Sequence, residues 1–204
     1  MSSRQVGQKA GRRSLALPEP TSGPVTLSLV AEMGAFVDFH VWIAGGAAVL
    51  AGAAVAQVDE RIRQLVDDML ETMYAAEGVG LAATQVDVHE RLIVMDTSEA
   101  RNQPLVLINP ELVARSEAMS FTDEGCLSVP TTYDKVARHA EVTVRALNRD
   151  GQSFELAAEG LTSICIQHEM DHLVGRVFVE YLSPLKRERI KTKMLKKSRD
   201  EVRA

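Results

Sequence analysis

GLTSICIQHEMDHL, residues 160–173, is the stretch on which the reading of this chain turns. Its first half, through Ile164, Cys165 and Ile166, has the composition of a buried helical face. Its second half sets His168, Glu169, Asp171 and His172 on the same helix. Burying imidazoles and carboxylates is costly unless they are paired or bound to a metal. Positions four apart share one face of a helix, so His168 and His172 offer two nitrogens to one cation. Glu169, beside the first histidine, can reach a water held at that cation. Two ligands plus a general base is the arrangement of metal-assisted hydrolysis. The pattern is short enough to recur by chance, so a third ligand must come from elsewhere in the chain.

Asp171 points off the face shared by the two histidines, which makes Cys126 the better candidate. Cys126 sits in EGCLS, residues 124–128, next to a glycine and shortly before Pro130. Cys165, between two isoleucines, suits the role of a small buried hydrophobe instead. Two cysteines are no disulfide framework, and unpaired thiols in a reducing, cytoplasmic compartment are the simpler reading. A third motif, GVGLAATQ at 78–85, combines glycines that let backbone approach a ligand closely with the amide N–H of Gln85. It follows a helix rather than a strand and lacks a third glycine, so it is not a dinucleotide-binding fingerprint.

Around these motifs lies an ordinary globular composition: 204 residues, 46% hydrophobic, 25% charged, net charge −5. That balance excludes a nucleic-acid binder that relies on overall charge. The charge is uneven, however. Residues 184–204 hold nine basic side chains against three acidic ones, and such a basic end reads as an interaction tail. Residues 1–57 are atypical. Up to position 24 the chain is basic and rich in Ser, Gly and Pro, a composition that favours disorder and is loosely transit-peptide-like. Residues 41–58 then run without a charge, but as mostly Ala and Gly they are a weak membrane span, and a buried or partly ordered apolar segment is the preferred reading.

From position 59 the periodicity predicts a helix to about 76, with Ile62, Val66, Met69 and Met73 on its inner face. Residues 77–85 read as a loop of small residues. Strands are predicted over 91–96, 105–109, 111–118, 141–146 and 153–157, the last two joined by a turn at Asn148-Arg149-Asp150-Gly151. A helix over 161–173, a short strand over 176–180 and a last helix capped by Ser183-Pro184 follow. The fold class is α+β, with mixed or antiparallel sheets around a central HExxH helix and a C-terminal helix. The expected division is an atypical region over 1–57, a catalytic domain over 58–183 and a basic helix over 184–204.

GVGLAATQ, EGCLS and QHEMDH, in that order and at these separations, resemble the three signature motifs of the peptide deformylase family, over roughly 58–185. The resemblance is specific because three separated motifs coincide, and it is nearest to the bacterial type with a C-terminal helical extension. It implies one metal ion per chain held by Cys126, His168 and His172. Fe(II) is the implied native ion, with Ni or Co as active substitutes and Zn as a poorer one. The implied substrate is the nascent N-formylmethionyl polypeptide, hydrolysed to formate and a free amine. Glu169 would move the protons. The Gln85 side chain and the Leu127 backbone N–H would meet the developing oxyanion. Val79, Gly80, Ile164 and Cys165, with His168, would line the slot for the methionine side chain. Glu124 and Asp171 would support the ligands, pairing with Arg138, with an ordinary surface ion pair as the alternative. The resemblance also implies docking of the basic C-terminal helix on the ribosome; no membrane partner is implied, and a monomer is the default.

Two departures stand out. The family's usual N-terminal segment is not found in residues 1–57, and Tyr133 stands where many relatives carry an arginine that holds the peptide backbone. A zinc metallopeptidase and a non-catalytic ribosome-associated protein are the competing functions; the setting of Cys126 argues against the first, and the intact motifs against the second.

Overall fold

The computed structural model of the protein describes residues 26–30, 36–40 and 51–202, with side chains over 51–196. The expectations for residues 1–24 and for the first part of the charge-free stretch lie outside the described residues. Strands β1 (Thr26–Val30) and β2 (Phe36–His40) pair with each other antiparallel. Helix α1 (Glu60–Ala75) starts where Asp59 accepts the Ile62 N–H at 3.0 Å, and its buried stripe is Ile62, Val66, Met69 and Met73. That stripe is the helical spacing read from the sequence, and it supplies the drive that holds the helix on the sheet.

A five-stranded antiparallel sheet, in the order β3-β4-β5-β8-β9, carries the core. Its strands are β3 (Gly80–Ala82), β4 (Leu92–Met95), β5 (Leu105–Arg115), β8 (Glu141–Leu147) and β9 (Ser153–Glu159). All four residues of β4 are buried because the sheet is covered on both faces. Leu92 and Val94 face α1, while Ile93 and Met95 face the second helix, α2 (Gly160–His172), through Cys165, Ile166 and Leu173. A second sheet is the hairpin of β6 (Met119–Cys126) and β7 (Val129–His139). A smaller core of Val129, Val136, Phe178, Leu182 and Met194 fastens this hairpin to the last helix, α3 (Pro184–Val202). The α+β arrangement around the HExxH helix is as the sequence reading had it.

Three local expectations are corrected, and one element was not foreseen. Residues 176–180 are not a strand: Phe178–Tyr181 is a 3₁₀ turn that drops Phe178 into the hairpin core. The two strands expected over 105–109 and 111–118 are the single strand β5, interrupted by a register shift between Ile108 and Glu111. Pro110 sits in that shift, where a residue without an N–H is tolerated in a ladder. Part of the 77–85 loop is strand β3, followed by a 3₁₀ turn at Ala83–Val86. The β6–β7 hairpin itself was not read from the sequence.

The packed unit also begins before position 58. Gly52 N–H donates to Leu173 C=O at 2.9 Å, and Val55 is buried in the α1 core. Asn109 holds the Val55 backbone at both ends, accepting its N–H at 2.8 Å and donating to its C=O at 2.8 Å. Among the described residues no helix is long and apolar enough to cross a membrane.

Candidate metal centre

Gly160, at φ +56, turns β9 straight into α2, so the helix enters the interior without a polar capping side chain. Ser163, Ile164, Cys165, Ile166, His168, Glu169 and His172 are all buried on it. The side toward the large sheet is apolar, and the side toward the β6–β7 hairpin carries the histidines. His172 Nε2 lies 3.2 Å from His168 Nε2, and Cys126 Sγ, from the end of β6, lies 3.2 Å from His172 Nε2. The three donor atoms fall within 4.8 Å of one another. Three ligands at ordinary zinc- or iron-type bond lengths in a tetrahedron stand roughly 3.3–3.7 Å apart, so the cluster has the spacing of a ligand set. Burial pushes the Cys126 thiol up, but the charge of His172 and the hydrogen bonds of both imidazoles outweigh it and hold the thiol well below its usual range. The thiolate is the form that binds a cation. One thiolate and two imidazoles suit Fe(II), Zn, Ni or Co.

The ligands are themselves held. His168 Nδ1 stands 2.8 Å from Glu124 Oε2, which turns Nε2 toward the cluster. Glu124, buried on β6, accepts two bonds from Arg138 of β7, from Nε at 2.7 Å and from a terminal nitrogen at 3.0 Å. Arg138 also donates to Asp171 Oδ2 at 2.5 Å, and the Tyr181 hydroxyl donates to the same carboxylate at 2.8 Å. The guanidinium lies 4.6 Å over the Tyr181 ring. Asp171 therefore stays outside the donor cluster, and the surface-ion-pair alternative for Glu124 and Arg138 gives way to a buried network. Thr84 Oγ1 donates to His172 C=O at 2.9 Å and braces the far end of the helix.

A cavity of about 370 Å³ opens onto the cluster. Nine of the ten site residues read from the sequence line it: Cys126, His168, Glu169, Gln85, Leu127, Val79, Gly80, Ile164 and Cys165; His172 lies behind it. Glu169 is buried, and burial pushes its carboxyl up against the opposing pull of the two histidines. One of its oxygens, Oε2, has no hydrogen-bond partner among the described residues. Such an orphaned atom beside three converging donors is consistent with a site built around a water and a cation. Gly80 lies against the same carboxylate: a Cβ there would fall 2.5 Å from Glu169 Oε1 and 2.7 Å from Cys165 Sγ. Gln85 accepts the Ala82 N–H at 2.9 Å and donates to Ser128 Oγ at 3.0 Å, with the Cys126 sulfur 3.8 Å from the same nitrogen.

Ser128, Thr84, Tyr181 and Phe178, whose ring stacks at 6.3 Å from His168, were not singled out in the sequence. Ser128 and Thr84 lie inside the motifs EGCLS and GVGLAATQ, so their positions were flagged although their partners were not. Nothing in the sequence marked Tyr181 or Phe178.

The polypeptide deformylase family model matches residues 49–188. The chain is 64% identical over 149 residues to peptide deformylase 1 of Ralstonia nicotianae (strain ATCC BAA-1114 / GMI1000), covering 73% of this chain and 88% of that one. It is 64% identical over 145 residues to peptide deformylase 1 of Burkholderia multivorans (strain ATCC 17616 / 249), covering 71% and 80%. Among solved structures, a peptide deformylase from Legionella pneumophila superimposes with a TM-score of 0.71 at 45% identity, covering 76% of this chain and 90% of that one. One from Synechococcus elongatus in complex with actinonin gives 0.73 at 37% identity, covering 85% and 95%.

Proposed function

Because this chain belongs to the polypeptide deformylase family, we propose that Cys126, His168 and His172 hold its metal ion and that Glu169, Gln85 and Leu127 act on the formyl group. The protein is a metal-dependent hydrolase that removes the N-formyl group from nascent polypeptides. The observation that carries the assignment of residues is the convergence of one sulfur and two imidazole nitrogens within 4.8 Å at the floor of a cavity. The native ion is Fe(II), one per chain, with Ni, Co or Zn as substitutes; the mixed thiolate and imidazole donor set favours such borderline ions over Mg or Ca. When bound, the ion supplies a Lewis acid that makes water a nucleophile near neutral pH and polarises the formyl oxygen.

Glu169 takes the proton of the attacking water and returns it to the departing amine. Its buried oxygen, without a partner among the described residues, and its raised carboxyl suit a group that must both accept and give a proton near neutral pH. Gln85 is held by Ala82 and Ser128 with its amide nitrogen toward Cys126, which leaves it preorganised as a donor to a developing oxyanion; the Leu127 N–H is the second donor. Val79, Gly80, Ile164 and Cys165 form the wall that takes the methionine side chain. Arg138, Glu124 and Asp171 keep the imidazoles in the ligating orientation.

Residues 58–183 form the catalytic domain, to which 51–57 add packing contacts, and the basic helix over 184–204 docks on the ribosome. Its excess of positive charge supports the docking reading, since attraction to ribosomal RNA would serve a co-translational enzyme. The enzyme acts in the cytoplasm as a monomer.

Formate release from a formyl-methionyl tripeptide by Fe(II)- or Ni(II)-loaded protein tests the assignment. Turnover is expected to vanish in Glu169→Ala with metal retained, and metal binding to be lost or strongly altered in Cys126→Ser. A Glu169→Ala protein that still releases formate would remove Glu169 from the mechanism. Since actinonin is bound in the Synechococcus elongatus relative, its inhibition of the wild-type protein is expected as a parallel reading.

A further inference from the structure

Outside the metal centre, a second buried polar cluster lies on the opposite side of the cavity wall from Glu169. Asp96, the residue after β4, is fully buried. Its carboxylate accepts from the Tyr74 hydroxyl at 2.6 Å, from Ser98 N–H at 3.0 Å, from Ser98 Oγ–H at 2.6 Å and from Gln103 N–H at 3.1 Å. One buried acid thus fixes both ends of the loop over 96–103. Arg101 stands at the tip of that loop in the left-handed region, at φ +53. Its guanidinium lies 5.3 Å over the Tyr74 ring, and one terminal nitrogen donates to the carbonyl of Gly78. The next carbonyl, that of Val79, accepts the Asp96 N–H at 2.9 Å. The loop therefore holds two successive peptide groups of the cavity wall.

Three features indicate that this grip serves the wall and not the loop alone. Arg101 Nε is buried without a partner among the described residues, so the side chain gives up one donor to place another on Gly78. Its backbone conformation is one that a non-glycine residue rarely adopts. Finally, the wall has no slack: Gly80, two residues beyond Gly78, lies directly against Glu169 and Cys165.

The geometry points to Arg101 as a positioning residue for deformylation: by holding the Gly78 carbonyl, it sets the distance of the Gly78-Val79-Gly80 wall from Glu169 and hence the fit of the peptide lying on that wall. Tyr74 and Asp96 aim it. This inference rests on the proposed assignment of Val79 and Gly80 to substrate binding.

The test is steady-state kinetics of metal-loaded, full-length Arg101→Met and Arg101→Lys with a formyl-methionyl tripeptide, with metal content and thermal midpoint measured on the same samples. Arg101→Met keeps the length of the side chain and removes its donors. It is expected to raise KM about tenfold while kcat changes no more than about twofold, the pattern of weakened peptide binding on the wall that is felt equally in the ground and transition states. Arg101→Lys, which keeps a donor, is expected to recover most of the loss, and metal content is expected to stay at the wild-type level. A purely structural role predicts a lower midpoint with KM unchanged, or kcat falling with the metal-loaded fraction; either result overturns the inference. Glu169→Ala runs beside them. If it still releases formate, the site assignment falls and this inference with it. If it is dead while Arg101→Met is silent, only this inference falls.

Discussion

His168 Nδ1 lies 2.8 Å from Glu124 Oε2, and Glu124 is in turn gripped by Arg138 through two bonds. The carboxylate thereby decides which imidazole nitrogen faces the Cys126 sulfur, and it raises the basicity of that nitrogen. Glu124→Gln keeps the shape but loses the charge, leaving Arg138 with half of its pairing. Metal affinity is expected to fall about 10- to 100-fold, as is usual when a group that orients a ligand is removed. Competition against a chromophoric chelator measures this directly. Equal affinities in the two proteins would show that packing against Phe178 suffices to hold the ring.

Gly80 is expected to be irreplaceable even by alanine. A Cβ there would lie 2.5 Å from Glu169 Oε1, so either the wall or the carboxylate must move. Displacing a proton-transfer group by a fraction of an ångström to an ångström can cost about 10²-fold in rate. Gly80→Ala should therefore lose kcat while keeping metal and fold, as judged by elemental analysis and circular dichroism. Full activity would mean that Glu169 has more freedom than its burial suggests.

The metal centre was legible in the sequence because its chemistry is carried by residue types that are conspicuous when buried: two histidines one turn apart, and a cysteine beside a glycine. The α1 and α2 helices were legible from their apolar spacing. The β6–β7 hairpin was not. Its exposed Phe121 and Tyr133 and its buried Glu124 and Arg138 invert the alternation that marks a strand, because its inner face holds the support of a metal ligand beside a small apolar core. The expected strand over 176–180 failed for a related reason. The apolar character of Phe178 reflects a plug for the hairpin core, and alternation over so few residues does not separate a strand from a 3₁₀ turn. A buried stretch within residues 41–58 was read, but not that Gly52 and Val55 make its contacts, because an Ala- and Gly-rich run carries no periodicity.

Tyr74 donates to Asp96 at 2.6 Å, and its phenol is pushed up to about 12 by burial first and by the bond to Asp96 second. A group that holds its proton more tightly when folded lends stability that is fully present below its unfolded value near 10 and is lost as pH rises toward 12. Alkaline unfolding is therefore expected to steepen between about pH 10 and 12, and Tyr74→Phe should flatten that segment. At neutral pH the same substitution is expected to cost about 1.5–3 kcal/mol, the range for a hydrogen bond to a charged group. Absorbance of the phenolate against pH, in wild type and variant, identifies the late-titrating tyrosine.

The last helix is expected to matter to the metal centre before it matters to any partner. Met194 is 3% exposed and packs with Phe178, Leu182, Val129 and Val136, beside the Cys126 end of β6. Lys186 pairs with Asp134 at 2.7 Å, and Lys193 donates to Thr131 C=O at 2.8 Å, so α3 also holds the outer rim of the hairpin. Met194→Ala is expected to cost about 2–5 kcal/mol, as for other buried methionines. The surface pair of Lys186 with Asp134 is worth at most about 1 kcal/mol, so packing and not charge dominates the attachment. A chain ending at Ser183 should therefore lose thermal stability and release metal faster in the absence of ribosomes. Lys191→Ala and Lys196→Ala on the intact helix, whose lysines lie outside these contacts, should instead leave metal release unchanged. If truncation leaves the rate of metal loss at the wild-type value, the hairpin holds Cys126 without help from α3, and the helix serves only what binds it.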